Sequence, residues 1–115
     1  MGKRDKAEIT PLGSFEEQVM VAVLRTGEEA YGMNVRRELE NVTGRDITIG
    51  SVYITLDRLE AKGFVTSSRV AVGLDAGSRR VFAVTRDGAR ALAETKAMRE
   101  RLWAGVRIRP LPRTS

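Results

Sequence analysis

The chain has 115 residues, 42% of them hydrophobic and 30% charged, with a net charge of +5, no cysteine and no histidine. That length suits one domain built on one core, and the composition is that of an ordinary globule. The missing residue types exclude disulfides, thiolate metal sites, a cysteine nucleophile, most zinc sites and a histidine-based triad.

No apolar run approaches the roughly 18 residues that span a bilayer, so no membrane association is expected. The charged opening "MGKRDKAEIT" has no hydrophobic segment behind it and does not read as a secretory signal. The cytoplasm is the default compartment. Charge is uneven: residues 1–13 carry +1, 14–44 carry −3, 45–90 carry +3 and 91–115 carry +4. Sixteen of the twenty basic residues are arginine, the better fork for phosphates and guanine edges.

In chain order, residues 1–13 read as a flexible arm ending in the breaker Pro11-Leu12-Gly13. Ser14 and Glu17 form a capping box for a first helix reaching about Thr26. Phe15, Val19 and Val23 make its stripe, and "VMVAVL" is apolar nearly all round, so it needs cover on two sides. A second helix is predicted from Tyr31 or Gly32 to Val42, with Met33, Leu39 and Val42 inward, Val35 nearby and Thr43-Gly44 as its stop. After the polar Arg45-Asp46, Thr48 caps a third helix from Ile49 to about Lys62, ended by Gly63. Val52, Leu56 and Leu59 form its buried stripe.

From Phe64 the period changes from helix to strand. "FVTSSRVAV" and "RRVFAV" predict two strands joined by the turn cluster "GLDAGS". Thr85 caps a last helix from Arg86 to about Gly105, whose larger apolar members are Leu92, Met98, Leu102 and Trp103. The two prolines of "RIRPLPRTS" predict an irregular tail over residues 106–115. The fold class is therefore mainly α with a small β-hairpin: a winged helix-turn-helix over residues 14–85, plus a C-terminal helix over residues 86–105.

With Val52, Leu56 and Leu59 inward, the third helix presents Gly50, Ile54, Asp57 and Arg58 outward, flanked by Ser51 and Tyr53. Free N–H groups in its first turn suit a phosphate. Ser51 and Tyr53 carry hydroxyls for phosphates, Ile54 matches a thymine methyl, and Arg58 suits a phosphate or a guanine. Arg69, Arg79 and Arg80 lie on or beside the hairpin, placed for a minor groove or its phosphates. Tyr31 and Gly32 open the second helix and aim its N-terminus the same way. Each of these has a plainer reading, as a mixed helix surface, a charged strand edge or a turn residue.

The long last helix needs a seam partner, and the doubly apolar first helix supplies one, within the chain or across a two-fold axis. Phe15, Val19, Val23, Leu92, Leu102 and Trp103 are the expected interface of a homodimer, which would address two half-sites of duplex DNA. Scattered carboxylates, with no metal-ligand cluster and no phosphate-binding glycine loop, argue against an enzyme and imply no cofactor.

Three blocks, "AYGMNVRRELENVTG", "ITIGSVYITLDRLEAKGFV" and "SRRVFAVTRDGARAL", resemble the PadR family of winged-helix transcriptional regulators over roughly residues 12–105. The shared pattern is Ala30-Tyr31-Gly32, then Gly50-Ser51-Val52-Tyr53, then Leu56-x-Arg58-Leu59-Glu60-x-x-Gly63, then Thr85-x-x-Gly88. Gly50 stands where many relatives have proline.

The resemblance implies a homodimeric repressor of the compact branch, whose C-terminal helix packs on its partner's first helix. It implies DNA-facing roles for Tyr31, Ser51, Tyr53 and Arg58, and backbone or minor-groove contacts for Arg79 and Arg80. It also implies a small aromatic effector near the dimer interface, with Trp103 as the candidate contact. The alternative function is a winged-helix protein–protein interaction module without DNA binding, whose third helix would show a more apolar and less arginine-flanked face.

Overall fold

The structure is a computed structural model and describes residues 11–71 and 78–112. Within them run α1 (Ser14–Thr26), a 3-10 turn (Gly27–Glu29), α2 (Gly32–Thr43), α3 (Ile49–Ala61), β1 (Val65–Ala71), β2 (Ser78–Val84) and α4 (Arg86–Trp103). This is the predicted order, mostly helical with one antiparallel hairpin. The expected turn of the wing falls on residues 72–77, outside the described residues, as do residues 1–10 and 113–115.

Each helix boundary has a local cause. At α1 the cap is Gly13 rather than Ser14: the Gly13 N–H donates to Glu16 Oε1 at 3.1 Å. The predicted Ser14–Glu17 box therefore shifts by one residue, and Glu17 instead receives the Arg99 guanidinium of α4. Helix α2 stops at Gly44, whose φ of 71° is left-handed and whose N–H closes on the Glu40 carbonyl at 2.9 Å. Thr48 caps α3 as expected, its Oγ1 accepting from Ser51 N–H at 3.1 Å. Thr85 caps α4 in the same way through Gly88 N–H at 3.0 Å. Such caps contribute about 1 kcal/mol each.

The core joins the first three helices to the hairpin. Val19, Met20, Val23, Val35, Val52, Leu56, Leu59, Val65 and Phe82 are each at most 2% exposed. Burying each such side chain contributes roughly 1.5–3 kcal/mol. In α2 the inward residues are Val35 and Leu39, whereas Val42 is 60% exposed and Met33 half-buried. The predicted stripe was rotated, because the position of α1 and α3, and not the α2 pattern alone, decides which side is covered. Leu12 is also buried, and its N–H donates to Thr95 Oγ1 at 3.1 Å, so the end of the expected flexible arm is tied to α4.

The hairpin pairs Val65 with Val84, Ser67 with Phe82 and Arg69 with Arg80. A two-stranded ribbon is marginal alone. Here the α1–α2 connector joins it: Tyr31 bridges Val81, and Phe82 N–H donates to the Ala30 carbonyl at 2.8 Å. Helix α4 docks on the body at Gly88, where a Cβ would stand 2.0 Å from the Phe64 carbonyl oxygen. Its first half packs against the core through Ala91 and Leu92, and its end, with Leu102 69% and Trp103 51% exposed, does not. Residues 106–112 carry no regular structure.

Candidate nucleic-acid interface

The exposed side of α3 and the wing meet in one open groove. Tyr31, Met33, Arg37, Tyr53, Arg69, Arg79 and Arg80 line a concavity of about 500 Å³. Four elements contribute: the N-terminal half of α2, the first turns of α3, and both strands. Tyr53 reaches across from α3 and lays its ring on Gly32; a Cβ there would stand 2.3 Å from Tyr53 Cζ and 2.5 Å from its hydroxyl oxygen. The Arg79 guanidinium lies over the Tyr31 ring, 4.2 Å from its centroid, in a cation–π arrangement. Among the described residues, Arg37, Arg58, Arg69 and Arg79 make no ion pair. The groove thus offers two tyrosine hydroxyls and, in Arg37, Arg69 and Arg79, charges that no carboxylate among the described residues meets.

Beside it, the rest of α3 shows Gly50 with open space around its Cα, and Ile54 61% exposed. Arg58 is exposed on the side toward α1. There, burial works to raise the pKa of Glu16, but hydrogen bonds from Lys62 and the Gly13 N–H, together with the charges of Lys62 and Arg58, hold it below its ordinary value. Ser51 is half-buried and its hydroxyl donates to the Thr48 carbonyl at 2.8 Å, which leaves it acceptor capacity only.

Two groups of expected site residues are engaged within the chain rather than free for a partner. Arg80 is engaged within the chain: its Nη2 donates to Asp57 Oδ1 at 2.8 Å and to Glu60 Oε1 at 2.7 Å. Of the expected dimer contacts, Val19 and Val23 are 0% and 2% exposed within the chain's own core and are closed to a partner. Phe15 and Leu92 are partly buried against that core. On these two helices the large apolar residues left open are Val21 and Leu24 of α1 and Leu102 and Trp103 of α4.

Arg37 and Met33 were missed as groove residues. Their i, i+4 spacing from the start of α2 was readable, but only the wing's position shows that this face borders a groove. Among the described residues no group of three or more His, Cys, Asp or Glu is placed to hold a metal, and no helix is long and apolar enough to cross a membrane.

Three helices, a two-stranded wing and a groove between wing and third helix define a winged helix-turn-helix protein. Residues 20–94 match the family described as "Transcriptional regulator PadR-like family", and the chain belongs to it. It is a family of transcriptional regulators, not of enzymes. No curated protein matches the sequence.

Among solved structures, a PadR family transcriptional regulator from Eggerthella lenta is 29% identical, with a TM-score of 0.63 over 76% of this chain and 75% of that one. RosR of H. salinarum is 26% identical, with a TM-score of 0.64 over 84% and 81%. Bacillus subtilis PadR, solved in complex with operator DNA, shares the fold at 20% identity and a TM-score of 0.62, over 91% of this chain and 54% of that one.

Proposed function

We propose that this protein is a cytoplasmic, homodimeric repressor that binds duplex DNA sequence-specifically and blocks a promoter sterically. The observation that carries the reading is the single groove in which Tyr31, Tyr53, Arg37, Arg69 and Arg79 converge beside the exposed first turns of α3. The α3 face lies in a major groove: Gly50 permits close approach, Ile54 meets a thymine methyl, and Arg58 reads a guanine or holds a phosphate. Arg69 and Arg79 hold phosphates from the wing. That Bacillus subtilis PadR, which shares the fold, was solved in complex with operator DNA supports duplex DNA as the partner.

A protein-interaction module would favour an apolar α3 face, and Ile54 is the one large apolar residue exposed along α3. The dimer forms through α4, whose apolar end has no cover in the monomer, against the exposed Val21 and Leu24 side of a partner's α1. Two α3 helices would then address half-sites about one helical turn apart. Relief comes from a small aromatic effector bound near Trp103 that changes the angle between the two reading heads.

Fluorescence anisotropy with duplex DNA from upstream of the protein's own gene, against a scrambled duplex over a salt series, tests the reading. Tight, steeply salt-dependent binding to the first and weaker binding to the second is expected. No binding to either at low salt would overturn it. Arg58→Ala should weaken specific binding by about 1–3 kcal/mol. Quenching of the sole tryptophan by phenolic acids, with release of DNA, tests the effector.

A further inference from the structure

Arg79 and Arg80 are adjacent in sequence but do different things in space. Successive strand residues face opposite ways. Both guanidinium groups nonetheless border the groove: Arg79 lies over Tyr31, while Arg80 lies over Phe82, 4.8 Å from the ring centroid. Arg80 Nη2 bonds both Asp57 and Glu60 of α3, and its Nε donates to Ser67 Oγ on β1 at 3.3 Å. Glu60 completes the circuit by accepting from Ser67 Oγ at 2.8 Å. One carboxylate of the reading helix therefore holds both strands of the wing, with the buried Phe82 ring beneath the guanidinium.

We propose that Arg80 is a positioning residue: with Asp57, Glu60 and Ser67 it fixes the angle between the wing and the reading helix, and it is not itself a ligand of DNA. The inference rests on the DNA-binding reading above. The wing has an anchor on its α2 side, through Tyr31 and Ala30. The Arg80 network is its anchor on the α3 side, and the two together decide whether Arg69, Arg79 and the α3 face can reach one duplex at the same time. Arg80 also neutralises two carboxylates that would otherwise repel phosphates from the helix meant to approach them.

The test compares Arg79→Gln, Arg80→Gln and Glu60→Gln in the full chain, titrated with a labelled mixed-sequence duplex over a series of potassium chloride concentrations. Loss of a phosphate ligand lowers the log–log salt slope by about 0.9. That is expected of Arg79→Gln and not of Arg80→Gln, which should keep the parental slope while losing about tenfold in affinity, the scale of one charge-assisted hydrogen bond. Glu60→Gln is the sharper case. It removes a negative charge, so Coulomb's law alone would tighten binding, whereas loss of the anchor weakens it as in Arg80→Gln.

In the free protein, amide hydrogen exchange over Val65–Ala71 and Ser78–Val84 should rise in Arg80→Gln and Glu60→Gln and stay at the parental level in Arg79→Gln. A salt slope that falls in Arg80→Gln, or tighter binding by Glu60→Gln, overturns the inference. If Arg80→Gln does not fold, Glu60→Gln decides alone. If the parent binds no duplex at low salt, the DNA-binding reading fails, and the exchange comparison still decides the anchor: unchanged exchange in both variants would refute it.

Discussion

Replacing Gly32 by alanine should damage DNA binding while leaving the fold nearly intact. The added Cβ would lie 2.3 Å from Tyr53 Cζ, 2.5 Å from its hydroxyl oxygen and 2.8 Å from Cε1. Carbon–carbon contacts settle near 3.5–4.0 Å, so the ring must retreat by more than about 1 Å. The clash is with the far end of a half-buried side chain that borders the open groove, so the Tyr53 ring can swing outward and gives up only its packing at the edge of the core. An off-rotamer ring costs about 0.5–1.5 kcal/mol, and alanine returns up to about 1 kcal/mol of helix propensity. Net stability should therefore stay within about 1 kcal/mol of the parent.

Binding is a different matter, because a tyrosine hydroxyl moved off a phosphate forfeits a bond to a charged acceptor, about 1.5–3 kcal/mol. Anisotropy titrations of Gly32→Ala, Tyr53→Ala and the double variant form a cycle with an expected coupling of at least about 1 kcal/mol. If Gly32→Ala weakens binding equally with and without Tyr53, the effect belongs to the Gly32 backbone, and the reasoning about the ring is refuted.

Gly88→Ala should act on stability instead. Its Cβ would stand 2.0 Å from the Phe64 carbonyl oxygen and 3.0 Å from Met20 Cε, and the backbone cannot swing aside. Overpacking of about 1–3 kcal/mol against a helix gain near 1 kcal/mol predicts a lower melting temperature, readable by circular dichroism. A Leu102→Glu change, at a residue 69% exposed in the monomer, should leave the thermal unfolding of the monomer unchanged but abolish the dimer in size-exclusion with light scattering.

The wing anchor should respond to acid. Hydrogen bonds from Ser67 and then Arg80 hold the Glu60 carboxyl below its ordinary value. A carboxyl depressed by folding contributes stability above its unfolded pKa, and that stability is lost as pH falls through the folded value. Once base-catalysed exchange is corrected for, wing amide opening should therefore rise below the ordinary carboxylate range in the parent and show no such step in Glu60→Gln.

Much of the architecture was legible because it is written in local signals. The Val52, Leu56, Leu59 stripe, the Thr48 and Thr85 caps and the shift to strand period at Phe64 are short-range patterns, and each reappears in the structure. Failures came where two local options are nearly equal in energy. Gly13 and Ser14 can both cap α1, and the choice of Gly13 frees Glu17 for Arg99, a partner 82 residues away. The α2 stripe was misread for the same reason: Met33 and Val42 are as apolar as Val35 and Leu39, and only the neighbouring helices distinguish them.

The sequence by itself determined the order of elements, the family and the residues that α3 turns outward, since periodicity, caps and turn residues act within a few positions of one another. Only the tertiary structure decided what the long side chains do. An arginine has the reach and the donors to serve a phosphate or a carboxylate equally well, and nothing in "SRRV" distinguishes the two outcomes. The strand register set Arg80 beside Asp57 and Glu60 and left Arg79 over Tyr31, at the edge of the open groove. Packing likewise took Val19 and Val23 into the core and left Leu102 and Trp103 outside it, because apolar character drives burial without specifying which surface provides the cover.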